Sequence, residues 1–309
     1  MPNPRPPGRW ATIGSPTDRR SPTIDVVLVT GRTMRVPDPE SHLLEAALRD
    51  LGIDVETHPW GDTTPWSTVP LVVVRSPWDY ISAHTDFLVW ARSAAAVTHL
   101  TNPIDVIEWN VHKSYLLDLA HAGVPTVATV LVPNQASDAE QAAALGAFAG
   151  AIVVKPAVSV GAIGTLRTNG SSAEASAHLA SLVAVGDALV QPFASSVVSA
   201  GESSLIYFGG VFSHAIRKLP AVGDFRVQVF HGGTVVVHTP SAAELSVAEA
   251  ALALTPSPTS YARVDLVPVA GEPQVMELEV IEPQLFLGHH PDAAARFAQQ
   301  LASLLPRDA

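Results

Sequence analysis

Short apolar runs alternate with stretches of helical spacing through the N-terminal third of the chain. The run "IDVVLVT" at 24–30 is β-branched and bounded by Gly31, which predicts a buried strand. Leu43, Leu44, Ala47 and Leu48 fall on one face of a helix over 40–51, stopped by Gly52. Strands follow over 54–60 and 71–76 ("LVVVRS"), then a helix over 83–96 and a short strand in "THLTNP". Strands alternating with helices predict a parallel sheet covered by helices, an α/β domain over 24–105.

The rhythm then changes. A linker helix over 110–121 is closed by Gly123, and a small α+β unit follows, the two together spanning 106–188. That unit reads as a strand over 124–132, a helix over 136–148, strands over 152–155 and 164–168 around a glycine loop, and a helix over 171–184 capped by Ser171 or Ser172. From 189 to 309 strands pair through tight turns. "SSLIYFGGVFSHAIRK" pivots on Gly209-Gly210 and "FRVQVFHGGTVVVHT" on Gly232-Gly233. A helix over 241–254, a hairpin in "YARVDLVPVAGEPQVMELEVIEP" and a helix over 290–305 complete a C-terminal α+β domain. Residues 1–23, rich in Pro, Gly, Arg and Ser, read as a disordered leader without the apolar core of a secretory signal.

Charge and composition narrow the chemistry. A formal charge of −11 opposes nucleic acid as the main partner, because a phosphate footprint needs a basic face. The absence of cysteine excludes disulfides and thiolate or cysteine–metal chemistry, and fits a cytoplasmic protein. No apolar run reaches the roughly 20 residues of a membrane span. The 18 basic residues include only three lysines, Lys113, Lys155 and Lys218. Lysines kept in an arginine-rich chain suit tasks that need a compact point charge on a flexible stem.

Lys155 ends the buried run of "AIVVKPAVSVGAIGTL" and precedes a loop with Gly161 and Gly164. Lysine beside such a loop can cradle phosphates with backbone N–H groups; an ordinary hairpin with a chance lysine is the other reading. The order of a Walker loop is absent. In the C-terminal hairpin, Glu277 and Glu279 are two apart on one strand, so they share a face, and Asp265 lies on the adjoining strand. Oxygen-only donors suit Mg²⁺; a solvent-facing acidic strand is the alternative. No spacing makes His214, His231, His289 or His290 a metal site.

These motifs in this order resemble the ATP-grasp carboxylate–amine ligases. Within them the chain is most similar to the ligases that close D-cycloserine from O-ureido-D-serine. The strings that carry the resemblance are Arg75–Trp78, Val153–Pro156, Gln191–Phe193, Gly210–Ile216 and Arg263–Val267. The resemblance implies an ATP-grasp fold: an N-terminal α/β substrate domain, a lid and a C-terminal domain, with ATP between the last two. It implies Lys113 and Lys155 on the ATP phosphates, and a loop from Ser159 through Gly161 to Gly164 over them. Gln191, Pro192 and Phe193 would hold adenine, and Glu202 the ribose. Asp265, Glu277 and Glu279 would bind Mg²⁺; Glu279 stands where relatives often carry Asn. Arg226 would stabilise the transferring phosphoryl group. Lys218, Arg217 and Arg263 would face the substrate carboxylate or acyl phosphate, and Arg75 a substrate-binding loop. The implied reaction is ATP-dependent, ADP-forming C–N bond formation on a small amino-acid-like substrate. An intermolecular ligase, a kinase and a nucleotide-binding regulator are the rival readings. A homodimer is one assembly the sequence allows.

Overall fold

A computed structural model describes residues 24–33, 38–227 and 232–306, so the proposed leader, His231 and the start of the Gly232-Gly233 turn lie outside the described residues. The first sheet is parallel in the order β2-β1-β3-β4, from β1 (Val26–Thr30), β2 (Val55–Pro59), β3 (Leu71–Ser76) and β4 (His99–Thr101). Its faces bury against α1 (Ser41–Asp50) and α2 (His84–Ala95). β3 is buried at every position, as a strand covered on both faces must be.

The helix expected over 110–121 begins only at Tyr115, as α4 (Tyr115–His121), and a separate α3 (Ile104–Asn110) precedes it. The break has a cause: the Lys113 N–H donates to Ala157 O at 2.8 Å instead of to its own helix. The strand expected over 124–132 divides. Residues 125–127 lie along Val275, with Val275 N–H to Pro125 O at 2.8 Å and Val127 N–H to Val275 O at 3.0 Å. Only β5 (Val130–Val132) joins the second sheet.

That second sheet is antiparallel, β5-β8-β6-β7, with β6 (Ala151–Pro156), β7 (Leu166–Asn169) and β8 (Ala188–Pro192). α5 (Asp138–Leu145) and α6 (Ala173–Val183) cover one face. α5 is shorter than the pattern suggested because Ser137 and Glu140 close a capping box at its start. Ser172, not Ser171, caps α6, accepting from Ala175 N–H.

The third sheet is antiparallel in the order β11-β10-β9-β12-β13. Its strands are β9 (Glu202–Phe208), β10 (Val211–Leu219), β11 (Thr234–His238), β12 (Tyr261–Val269) and β13 (Glu272–Glu279), with the short α7 (Ser196–Ala200) before β9. α8 (Ala242–Leu252) packs on the face that carries Leu205, Tyr207 and Val264. α9 (Ala293–Ala302) joins the third sheet to the first through Phe297, which stacks on Phe208 with centroids 4.8 Å apart and meets α1.

The outer edge of β13 is sealed rather than left open. Beyond Val275, Leu278 N–H donates to Tyr115 Oη at 3.1 Å. Asn110 then completes the ladder, donating to Leu278 O at 2.8 Å and accepting from Val280 N–H at 3.2 Å. The helices α3 and α4 thereby fix the strand that carries Glu277 and Glu279.

Candidate active site

Strand alternation gives the third sheet two unlike faces. One face, away from α8, carries Glu202 and Ser204 of β9, Lys218 of β10, Arg263 and Asp265 of β12, and Glu277 and Glu279 of β13. The register makes them neighbours: Lys218 opposite Glu202, Asp265 opposite Ser204 and Glu277, and Arg263 opposite Glu279. Gly201 permits the first of these pairs. At its φ of 76° a Cβ would stand 2.5 Å from Lys218 O, so only glycine lets the start of β9 approach β10 so closely.

Each of these charges has a partner. Lys218 Nζ bonds Glu202 and, at 3.0 Å, Asp265. Arg263 grips Asp265 with both Nε (3.0 Å) and Nη2 (2.9 Å), and also pairs with Glu279. Lys113 Nζ reaches Glu277 at 2.8 Å and donates to Ser159 O at 2.7 Å. Burial alone would raise the Asp265 carboxyl, but Arg263 and Lys218 outweigh it and hold it below the carboxylate range. Burial also opposes ionisation of Glu277, and Lys113 and Lys155 reverse that as well. For Glu279 burial wins against Arg263, with Glu277 and Asp265 adding repulsion, and its carboxyl is pushed up to about 8.

Lys155 differs. It is only 8% exposed, yet its Nζ has no salt-bridge partner among the described residues. Burial lowers its pKa, and neighbouring Lys113 adds to this against the pull of Glu277 and Glu202. It projects into a cavity of about 120 Å³ lined by Lys113, Ser159, Gly161, Gln191, Pro192, Phe193, Glu202, Arg226 and Glu277 among others. The loop over this cavity is drawn in by Lys113 at Ser159. Val158 and Val160 pack against the core of the first sheet. Gly164 closes the loop at φ 73°, where a Cβ would stand 2.9 Å from Pro156.

Arg226 reaches the cavity mouth, but its guanidinium is engaged by Asp224, with Nη2 to Oδ2 at 2.8 Å. Arg167 of β7 lies 3.9 Å over the Phe193 ring and 5.9 Å from that of Phe225, two rings that meet edge to face.

The structure brings nine of the sequence-derived candidates to one cavity: Lys113, Lys155, Ser159, Gly161, Gln191, Pro192, Phe193, Glu202 and Glu277, with Arg226 at the rim. Lys218, Arg263, Asp265 and Glu279 sit one side chain away, in the ion-pair network. Arg217 is not brought to the cleft. Strand alternation turns it to the α8 face, where it meets Ser203 Oγ at 3.3 Å, His238 Nε2 at 3.1 Å and Glu244 at 3.7 Å. Arg75 is 2% exposed and holds Pro283 O at 3.2 Å, with Asp38 at 3.6 Å and Glu40 at 3.8 Å. It anchors a loop rather than opening onto solvent. His214 is lowered to about 4 by burial and is held on Leu285 O at 3.0 Å, so it is a neutral structural group.

The donors are the oxygens a hard divalent cation takes, but among the described residues no three acidic or histidine side chains are gathered as a cation cage. Asp265 is committed to Arg263 and Lys218. Glu277 and Glu279 share a face but are themselves paired with Lys113 and Arg263, so they could hold Mg²⁺ only with phosphate oxygens supplying other positions and drawing those cations away. Sequence reasoning missed Asn110, Gly201 and Glu282. The only trace of Glu282 was a third glutamate in "ELEVIEP", out of step with strand period two.

Known proteins are similar to this chain in sequence and in fold. The model of the N-terminal domain of the D-cycloserine synthetase DcsG matches residues 26–102. The cycloserine biosynthesis protein DcsG of Streptomyces lavendulae is 36% identical over 304 residues, 91% of this chain and 98% of that protein. The crystal structure of D-cycloserine synthetase DcsG superposes with a TM-score of 0.83 at 36% identity, over 91% of this chain and 99% of that one. A RimK domain ATP-grasp protein from Sphaerobacter thermophilus shares the fold at 16% identity, with a TM-score of 0.64 over 89% and 98% of the two chains. No helix among the described residues is long and apolar enough to cross a membrane. The chain belongs to the D-cycloserine synthetase family and is an ATP-dependent carboxylate–amine ligase of the ATP-grasp fold.

Proposed function

We propose that the cavity binds ATP together with Mg²⁺, and that the enzyme closes a ring within one amino-acid-like molecule, releasing ADP and phosphate. The observation that carries this reading is Lys155, a buried ammonium with no salt bridge among the described residues, aimed into the cavity. An unpaired buried charge is costly unless something arrives to match it. Triphosphate is that match, and Lys113 and the loop Ser159–Gly164 add a second cation and backbone donors. Gln191, Pro192 and Phe193 line the adenine end, and Glu202 the ribose. Glu277 and Glu279 would hold Mg²⁺, which supplies charge neutralisation on the phosphates. Asp265 orients Arg263 and Lys218 beside them.

The chemistry balances in two steps. A substrate carboxylate oxygen attacks the γ-phosphorus and the β–γ bridging oxygen leaves with ADP, giving an acyl phosphate. A nitrogen of the same molecule then attacks the acyl carbon. The C–O bond breaks, phosphate departs with its electron pair, and the nitrogen gives up its proton. Positioning and charge neutralisation do most of this work. The cavity is well below the ~300–1,000 Å³ of typical small-molecule sites. The loop held by Lys113 therefore lifts to admit nucleotide. The substrate enters from the side of Trp78 and Tyr80, and the enzyme acts on a small molecule, in solution.

The test measures ADP release and product mass with O-ureido-D-serine. ADP with a product of the substrate's mass less water, or of D-cycloserine mass once water has cleaved the carbamoyl group to carbon dioxide and ammonia, supports ring closure. ADP with a product containing two amino acids would replace it with intermolecular ligation. Binding of ATP and Mg²⁺ must also raise the unfolding midpoint.

A further inference from the structure

The chain leaving β13 is held along its backbone by side chains from distant elements. Ile281 O accepts from Tyr261 Oη at 2.9 Å, Glu282 O from Trp78 Nε1 at 3.0 Å, and Pro283 O from Arg75 at 3.2 Å. Gln284 O accepts from Arg263 Nη1 at 3.0 Å, and Leu285 O from His214 Nε2 at 3.0 Å. Leu285 and Leu287 N–H both donate to Glu40, each at 2.8 Å, and Phe286 is held at φ 52°. Such a segment has little freedom left. A backbone fixed at successive carbonyls fixes the side chain it carries, which is how a site residue is preorganised.

That side chain is Glu282. Burial pushes its carboxyl up to about 7, against the pull of Lys113, a hydrogen bond from Tyr80 and Arg263, with Glu277 of β13 adding repulsion. The other four carboxyls of the charged face are spoken for: Glu202 and Asp265 by Lys218, Asp265 and Glu279 by Arg263, and Glu277 by Lys113. Glu282 has no ion pair among the described residues. Lys155 and Glu282 are thus the basic and the acidic group of the cleft without an ion pair among the described residues. Lys155 faces the nucleotide cavity, and Glu282 faces the loop of Trp78 and Tyr80.

We propose that Glu282 is a specificity-determining residue that binds the α-ammonium of the substrate, the positive group that takes no part in bond formation. The inference rests on the ligase reading. The nucleophilic nitrogen must be uncharged to attack, so it needs no lasting counter-ion, whereas a spectator ammonium keeps its charge throughout. A carboxylate on a rigid strap fixes that group and so turns the substrate carboxylate toward the phosphates. This assigns the enzyme's preference for amino acids over simple carboxylic acids to one side chain.

The experiment pairs Glu282→Gln with an amine-free substrate. With O-ureido-D-serine, E282Q keeps KM for ATP and the ATP-induced thermal shift, but raises KM for the amino acid about tenfold or more, the loss of a charge-assisted hydrogen bond. With 3-(ureidooxy)propanoate, which lacks the α-amine, the wild-type enzyme suffers a similar loss and E282Q loses little further. An unchanged amino-acid KM in E282Q, or an equal penalty for removing the amine in both proteins, would overturn the proposal. Should E282Q not fold, efficient wild-type turnover of the amine-free compound overturns it without any variant. Wild-type enzyme forming no ADP with any amino acid would overturn the ligase reading itself, a distinct outcome.

Discussion

The first and third sheets place charge in different ways. In the parallel sheet, β1 and β3 are apolar along most of their length, and the only charged residue of β3, Arg75, comes at its carboxyl end. In the antiparallel sheet, charges sit along one face, Arg263 and Asp265 within β12, Glu277 near the end of β13, and Glu202 and Glu279 at the ends of β9 and β13. The central strands β1 and β3 are buried on both faces and have room for a charge only where a strand runs out, whereas the edge strand β2 carries Glu56 exposed. The antiparallel sheet has α8 on one face, and the other can carry charges provided each is matched. Arg75 spends its charge on holding a loop, whereas the third sheet's ions surround a ligand cleft. One sheet is scaffold and the other is both scaffold and site.

Substitutions can break that contrast. The largest effect belongs to Lys155→Ala and Glu277→Ala, each expected to lower ADP formation by ~10²–10³-fold or more with the fold intact, as for removal of one transition-state donor; rates near wild type in either would count against the cleft as the nucleotide site. Arg75→Ala strands Asp38 and Glu40, and Arg263→Ala strands Glu279 and leaves Asp265 to Lys218 alone, each costing about 3–5 kcal/mol in denaturant unfolding. The comparison sharpens in the ligand: Arg75→Ala should keep the thermal shift from ATP and Mg²⁺, and Arg263→Ala should lose much of it. Leu28→Ala in the parallel core costs about 2–5 kcal/mol and leaves KM for ATP unchanged.

On acidification, Asp265 supplies the clearest signal. Its folded pKa lies below the unfolded value of about 3.9, so its contribution is complete above that pH and fades as pH falls toward the folded value. Asp265→Asn should flatten that acid limb in pH-dependent unfolding. The smallest effect belongs to Arg217→Ala on the α8 face: about 0–1 kcal/mol and no change in either KM. A large rise in substrate KM there would show that the face assignment is wrong.

The sequence was readable where one local pattern decided the outcome. "LVVVRS" could only be a covered strand, Gly209-Gly210 is a turn, and Lys155 before its glycine loop pointed into the cleft. Reading failed where a distant group intervened. The helix over 110–121 started late because Lys113 bonds Ala157, and residues 125–127 left their strand to run beside Val275. Period two placed Glu277 and Glu279 on one face, but could not say that Asp265 answers to Arg263, because that pairing depends on register between strands. Arg217 and Lys218 read alike in sequence; alternation sends them to opposite faces. Glu282 was illegible for the same reason: its position is set by side chains more than 160 residues away in the chain.

The stacking of Arg167 on Phe193, with Phe225 edge-on to that ring, has a kinetic consequence. It fastens a lid strand, the adenine-side hinge and the segment bearing Arg226 to one another. An outward movement of β7 would take the guanidinium off both rings and loosen Phe225, the neighbour of Arg226, so replacing Arg167 with methionine should speed nucleotide release.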